Sequence, residues 1–116
     1  MKCIPNGSDF KFLVNFEDVD GVIVNPGNFA WELFYYTTPN IQLKATHSID
    51  EAGIHTYSDN VKVVDEETVE VIVDNFDFGN KGPVKCKSIF HFVNPDFKDG
   101  IQTVLSEEKI LNITIV

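Results

Sequence analysis

Basic residues, cysteines and long apolar runs are all scarce in this sequence, and each scarcity removes a class of function. Nine basic residues stand against eighteen acidic ones, a formal net charge of −9 at pH 7. Neutralising nucleic-acid phosphates takes clustered cations, so no direct nucleic-acid partner is expected. No stretch approaches the length of a membrane span, and the opening from Met1 to Ser8 holds no apolar run of the size a signal-peptide core needs. The expectation is a chain made and used in the cytoplasm, with no membrane partner. Cys3 and Cys86 are the only cysteines, and their spacing matches no zinc or redox motif. Two reduced thiols are expected, with Cys86 a small core residue in step with Val84, Ser88 and Phe90. A Cys3–Cys86 disulfide would require an oxidising compartment.

What the sequence does have is aromatic weight and a period of two. The 116 residues, 43% of them hydrophobic, suffice for one domain spanning 1–116 with one core. Ten Phe, three Tyr and one Trp place the charge on the surface of a folded body rather than in a disordered chain. Phe10, Phe12, Val14 and Phe16 alternate with Lys11, Asn15 and Glu17 over 9–17, the clearest strand in the chain. Further strands are predicted at 22–24, 29–38, 41–47, 54–57, 60–64, 68–74, 84–93, 101–105 and 109–116, with 29–38 and 41–47 forming a hairpin. Turns punctuate them at 18–21, 25–28, 38–40, 50–53, 65–67 and 94–100. No window sustains a 3.6-residue period. The fold class is therefore all-β: an antiparallel, immunoglobulin-like sandwich of about seven to nine strands with almost no helix. Phe10, Phe12, Val14, Phe16, Val69, Val71, Val73, Phe90 and Phe92 are its expected core. Lys85 and Lys87 are expected to face Asp74 and Glu70 across a ladder. The 75–83 segment, with Phe76 and Phe78, should fold back as a plug over one end.

No catalytic constellation emerges. Asp18, Asp20 and Gly21 begin as a calcium loop does, but the remaining oxygen ligands and the closing glutamate are missing, so the turn reads as a solvated hairpin. The same holds for Asp65, Glu66 and Glu67 and for Asp96 and Asp99. His47, His55 and His91 fall on three separate segments, with His47 and His91 read as rim or surface residues. There is no Gly-x-Ser-x-Gly, no His-Glu-x-x-His and no phosphate-binding glycine loop. Paired carboxylates arise by chance among eighteen acidic residues, and these read as solubilising charge. No cofactor and no metal is expected.

The strand at 29–38 is apolar on both faces, with Phe29, Trp31, Leu33 and Tyr35 on one and Phe34 and Tyr36 on the other. It is either a central strand covered by a loop or an aromatic patch for a partner. Trp31, Tyr35, Tyr36, Phe76, Phe78 and Phe97 are accordingly the candidate contact residues for a partner.

The phrases DFKFLVNFEDVDG, NFAWELFYYTT, VEVIVDN, GNKGPVKCKSIFHFVNPDFKDGIQTV and EKILNITIV, in this order, resemble small β-sandwich virion proteins of Bacteroides phages, the crAss-like phages included. The resemblance covers almost the whole chain as an order of segments. It implies a non-enzymatic structural role on the virion, as an auxiliary capsid (head-decorating) protein or head-fibre component, made in the host cytoplasm. Its partners would be other virion proteins or further copies of itself. The family phrase before the penultimate strand runs Gly-Pro-Gly, whereas Asn80, Lys81, Gly82 and Pro83 stand here. The alternative is a secreted or periplasmic module that binds carbohydrate or protein, with Trp31, Tyr35 or Tyr36 stacking on a sugar. From the incomplete acidic turns, calorimetric titration with calcium is expected to give no saturable heat; a one-to-one isotherm would overturn the reading of Asp18 and Asp20 as a plain turn.

Overall fold

The computed structural model of the chain describes residues 2–18 and 20–116; Met1 and Val19 lie outside it. Eleven strands run in chain order: β1 (Lys2–Ile4), β2 (Phe10–Glu17), β3 (Ile23–Val24), β4 (Ala30–Thr38), β5 (Ile41–Ile49), β6 (His55–Tyr57), β7 (Val61–Val63), β8 (Thr68–Val73), β9 (Gly82–Val93), β10 (Ile101–Leu105) and β11 (Lys109–Ile115). One 3₁₀ turn, Pro26–Asn28, interrupts them; Asn25 accepts from the Gly27 amide at 2.8 Å to cap it. Seven strands form one sheet in the order β1-β11-β9-β4-β5-β6, with β10 also paired to β9. The other four form a second sheet, β3-β2-β8-β7. The fold is thus all-β and sandwich-like; each predicted strand segment forms a strand, β5 and β9 run longer than expected, and the total among the described residues exceeds the seven to nine expected. The added element is β1, whose parallel pairing with β11 departs from the all-antiparallel expectation. Three residues carry too short a period for the sequence to announce a strand.

β4 is the central strand of the large sheet. It pairs along one edge with β5, from Trp31 opposite His47 to Tyr35 opposite Leu43, and along the other with β9, from Ala30 opposite His91 to Tyr36 opposite Lys85. Alternation places Trp31, Leu33 and Tyr35 in the core, facing Phe16, Val69, Val71 and Val73 of the second sheet. Phe16 bridges the sheets, with its ring 4.9 Å from Trp31, 5.8 Å from Phe29 and 5.9 Å from Phe90. The buried indole N–H of Trp31 donates to the Pro26 carbonyl at 2.9 Å, so the largest core side chain leaves no polar atom unpaired.

The inward register of β2 is as expected, yet only Phe16 is fully buried; Phe10, Phe12 and Val14 are half-buried, as are Phe90 and Phe92. The predicted β8–β9 ion pairs do not form, because those strands lie in different sheets. Glu70 instead meets Lys11 at 3.9 Å, and Lys85 and Lys87 stand beside Tyr36 and Phe34 of β4.

Connections seal three sides of the sandwich. The Asn25–Phe29 crossover closes one end around the Trp31 indole. At the other end, the 75–81 segment folds in as a plug: Phe78 is buried, its amide donates to the Asn6 side chain at 3.0 Å, and Asn6 donates to Asp77 at 2.8 Å. Gly79 sits at φ +82, a conformation that favours glycine, and a Cβ there would have to push aside the tip of the Ile41 side chain. One flank is laced where the chain passes from β6 to β7: Asn60 donates to the Lys44 carbonyl at 3.0 Å and accepts from the Ile72 amide at 2.7 Å. From these burials, Phe16→Ala is expected to cost about 3–5 kcal/mol in chemical denaturation, whereas Leu13→Ala, at an outward position 62% exposed, stays within about 0.5 kcal/mol. Phe12→Ala falls between them, and the reverse order would mean β2 is slipped by one residue.

Candidate functional site

The fourth flank is open. Between β2 of the small sheet and β9, β10 and β11 of the large one runs a cleft of about 670 Å³. Its walls are half-buried side chains that the opposite sheet covers only in part: Phe12 and Val14 from β2, Phe90 and Phe92 from β9 and Leu111 from β11, with Val104 of β10 beside them. Tyr35 and Cys86 line it, and burial pushes the Tyr35 phenol well above its ordinary titration range and the Cys86 thiol up, the latter against opposing hydrogen bonds from Ser88 and Tyr35. Cys86 is therefore a neutral thiol rather than a nucleophile, and Cys3 is a free thiol on the surface. The cleft touches every described position in 12–18, inward and outward side chains alike, so it follows the edge of β2 rather than one face.

That edge is unpaired. Residues 10–15 of β2 pair with β8, and β3 pairs with Phe16 and Glu17. Among the described residues no strand pairs with the other edge of residues 10–15. Across the cleft, β10 pairs with β9, and among the described residues no strand pairs with its other edge. Ser88 and Ser106 stitch the gap between β10 and β11, with the Ser88 amide donating to the Ser106 hydroxyl at 2.8 Å.

The contact residues expected from the sequence divide sharply. Trp31, Tyr35, Tyr36 and Phe78 are buried and present no surface to a partner. The second aromatic face of β4 is that of a covered central strand: the Tyr36 hydroxyl donates to Glu108 at 2.5 Å, and Lys44 sits 5.5 Å over the Phe34 ring. Burial first, then Glu108, pushes the Tyr36 phenol up to about 12. Phe76 is half-buried, packed edge-on against Phe78 at 4.8 Å. Phe97 alone remains exposed, at 48%. It stands on the 94–100 loop beside Val93, 88% exposed, with Ile101 opposite Val93 and with Leu105 further along β10.

In the acidic turn one carboxylate oxygen, Oδ1 of Asp18, is spent on the loop's own backbone. Asp18 accepts from the amides of Asp20 at 2.9 Å and Val22 at 3.0 Å, and Gly21 takes φ +79. Val19 of this turn lies outside the described residues. Asp50 repeats the device on Ala52 and Ile54. Among the described residues no group of three His, Cys, Asp or Glu side chains is placed to hold a metal ion.

His47 is the residue the sequence misplaced. It was expected at a rim but is 2% exposed, because β6 covers it: its ring stacks on Tyr57 at 4.3 Å. Nδ1 lies 2.8 Å from the Phe29 carbonyl and Nε2 2.9 Å from Nδ1 of His55. A carbonyl only accepts, so Nδ1 of His47 carries the proton and Nε2 accepts from His55. Burial, opposed by the carbonyl bond and aided by His55, holds the His47 imidazole below its ordinary value. His91 lies apart, 3.5 Å from Glu32, which also meets Lys44 at 2.9 Å. The Lys44 hydrogen bond is the main reason that carboxyl titrates low, against the opposing effect of burial.

No family model, no curated protein and no solved structure matches the chain.

A buried neutral imidazole gives folding a definite pH dependence. The unfolded chain takes up the His47 proton at a higher pH than the folded one, so this contribution is complete above the ordinary imidazole value of 6.5 and is lost as pH falls below it. Urea midpoints should therefore drop on acidification from neutrality, and His47→Gln, which keeps a donor for Phe29, should flatten that drop. An unchanged slope would mean that His47 does not titrate with folding.

Proposed function

We propose that the chain is a non-enzymatic assembly module, and that it serves as an auxiliary capsid (head-decorating) protein or head-fibre component of a phage particle. The observation that carries the assembly reading is the unsealed flank, where core-facing aromatic side chains stay half-exposed beside two free strand edges. Ordinary soluble domains cover or charge such edges, because unpaired backbone groups invite another chain. Next to it, Val93, Phe97, Ile101 and Leu105 add apolar surface at the β9–β10 turn. Exposed apolar residues occur elsewhere too, Leu13, Ile54 and Ile110 among them, but this group adjoins the open flank, which supports a docking face there on a chain of net charge −9.

The virion assignment draws on the resemblance in segment order. Repetition over a symmetric shell lets modest affinity per copy suffice. The carbohydrate-binding alternative has lost its named residues, since buried Trp31, Tyr35 and Tyr36 offer no ring face to a sugar. Phe78→Asp would unfold the plug rather than test docking, so the informative substitution is Phe97→Asp.

Mass spectrometry of gradient-purified particles is expected to find the chain in many copies per head. Phe97→Asp should leave the denaturation midpoint unchanged and abolish incorporation. Absence from particles, or recovery of the chain as an exported glycan binder, would overturn the virion reading.

A further inference from the structure

Deepening the assembly role above, we propose that the open cleft receives an extended segment of a partner protein, which adds as a strand to the free edge of β2 and fills the missing flank of the sandwich. Three features select this occupant. The edge at residues 10–15 offers backbone donors and acceptors in a row, which only another extended chain can pair continuously. The inward Phe12 and Val14 repeat every second residue, about 6.8 Å along the strand, and an incoming strand presents its side chains at the same interval. Alternate apolar side chains of that segment would lie over Phe12, Val14, Phe90 and Leu111, completing burial that the chain's own sheets leave half done.

Charge sets the polarity of the partner. The charged residues lining the cleft are Glu17 and Asp18 at one end and Lys109 on the opposite wall. Lys11, toward the other end of the edge, is engaged with Glu70. Every pairing in the small sheet is antiparallel, so a segment added in the same sense has its N-terminal part beside Glu17 and Asp18. A basic residue is favoured there, and the −9 charge disfavours a second copy of the chain.

The test uses purified chain and a synthetic peptide of about eight residues, alternating valine and threonine behind two N-terminal lysines. Titration should be saturable, and hydrogen exchange should slow at amides within residues 10–15. Glutamates in place of the lysines should weaken binding by about tenfold. Methylation of alternate backbone nitrogens on the pairing edge should abolish it. Glu17→Lys should weaken the lysine peptide and strengthen the glutamate peptide, a reversal that a folding defect cannot produce. Val104→Asp should weaken both.

Equal binding of a shuffled peptide, or binding without slowed exchange at 10–15, overturns the proposal. So does slowed exchange at these amides that rises with protein concentration alone, which would make a second copy the occupant. So does an apolar dye that occupies the cleft when no peptide does. Loss of peptide binding in a chain still found in particles sinks the added strand alone. Peptide binding by a chain absent from particles sinks the virion assignment alone.

Discussion

The two sheets are held together by a layer of aromatic rings, with Phe16 set against Trp31 at its centre. Both cysteines are free thiols, so side-chain packing joins the layers without a disulfide. Phe16 comes from the short sheet and reaches Trp31 and Phe90 of the long one, and Phe29 of the crossover, so a single ring couples β2 to both β4 and β9. Aromatic pairs at these distances add to the area they bury. The tight end of the sandwich is where they concentrate. Phe12, nearer the gaping flank, keeps one edge-on contact with Tyr35 at 4.9 Å and a looser one with Phe10.

That asymmetry follows from how the chain crosses between sheets. The β6–β7 crossing brings Asn60 into hydrogen bonds with both layers and draws one flank shut. Nothing comparable joins β2 to β10 or β11 among the described residues. The apolar alternation of β2 nevertheless continues along the open side, as if a further strand were to be covered there. Half-buried inward residues and an unpaired edge are two aspects of the same vacancy, and both are relieved by one added strand.

Polar groups inside the fold are matched with the same economy. No buried side-chain nitrogen or oxygen lacks a partner among the described residues. His47 achieves this by donating to a carbonyl and accepting from His55, which ties the short edge strand β6 to the end of β4. Such a network positions β6 but commits the imidazole to its neutral form. The strand that shields the ring therefore depends on a group that acid can charge.

Alternation along β2, β8 and β9 made the all-β class and the inward face legible from the sequence, because a period of two is a local property of a pleated strand. The turns were legible for the same reason: Asp18 and Asp50 cap their own loops through amides two and four residues on. Which strands become neighbours is not local. Lys85 and Lys87 were assigned to Asp74 and Glu70 because the segments follow one another, yet the connection at 75–81 carries the chain to the other sheet. Likewise Trp31, Tyr35, Tyr36 and Phe78 had the composition of a contact surface, and only the approach of the second sheet and of the 106–108 loop made them interior. The cleft left no local mark at all: it arises where two sheet edges fail to meet, and a sequence pattern specifies the face a residue turns inward without specifying whether anything arrives to cover it.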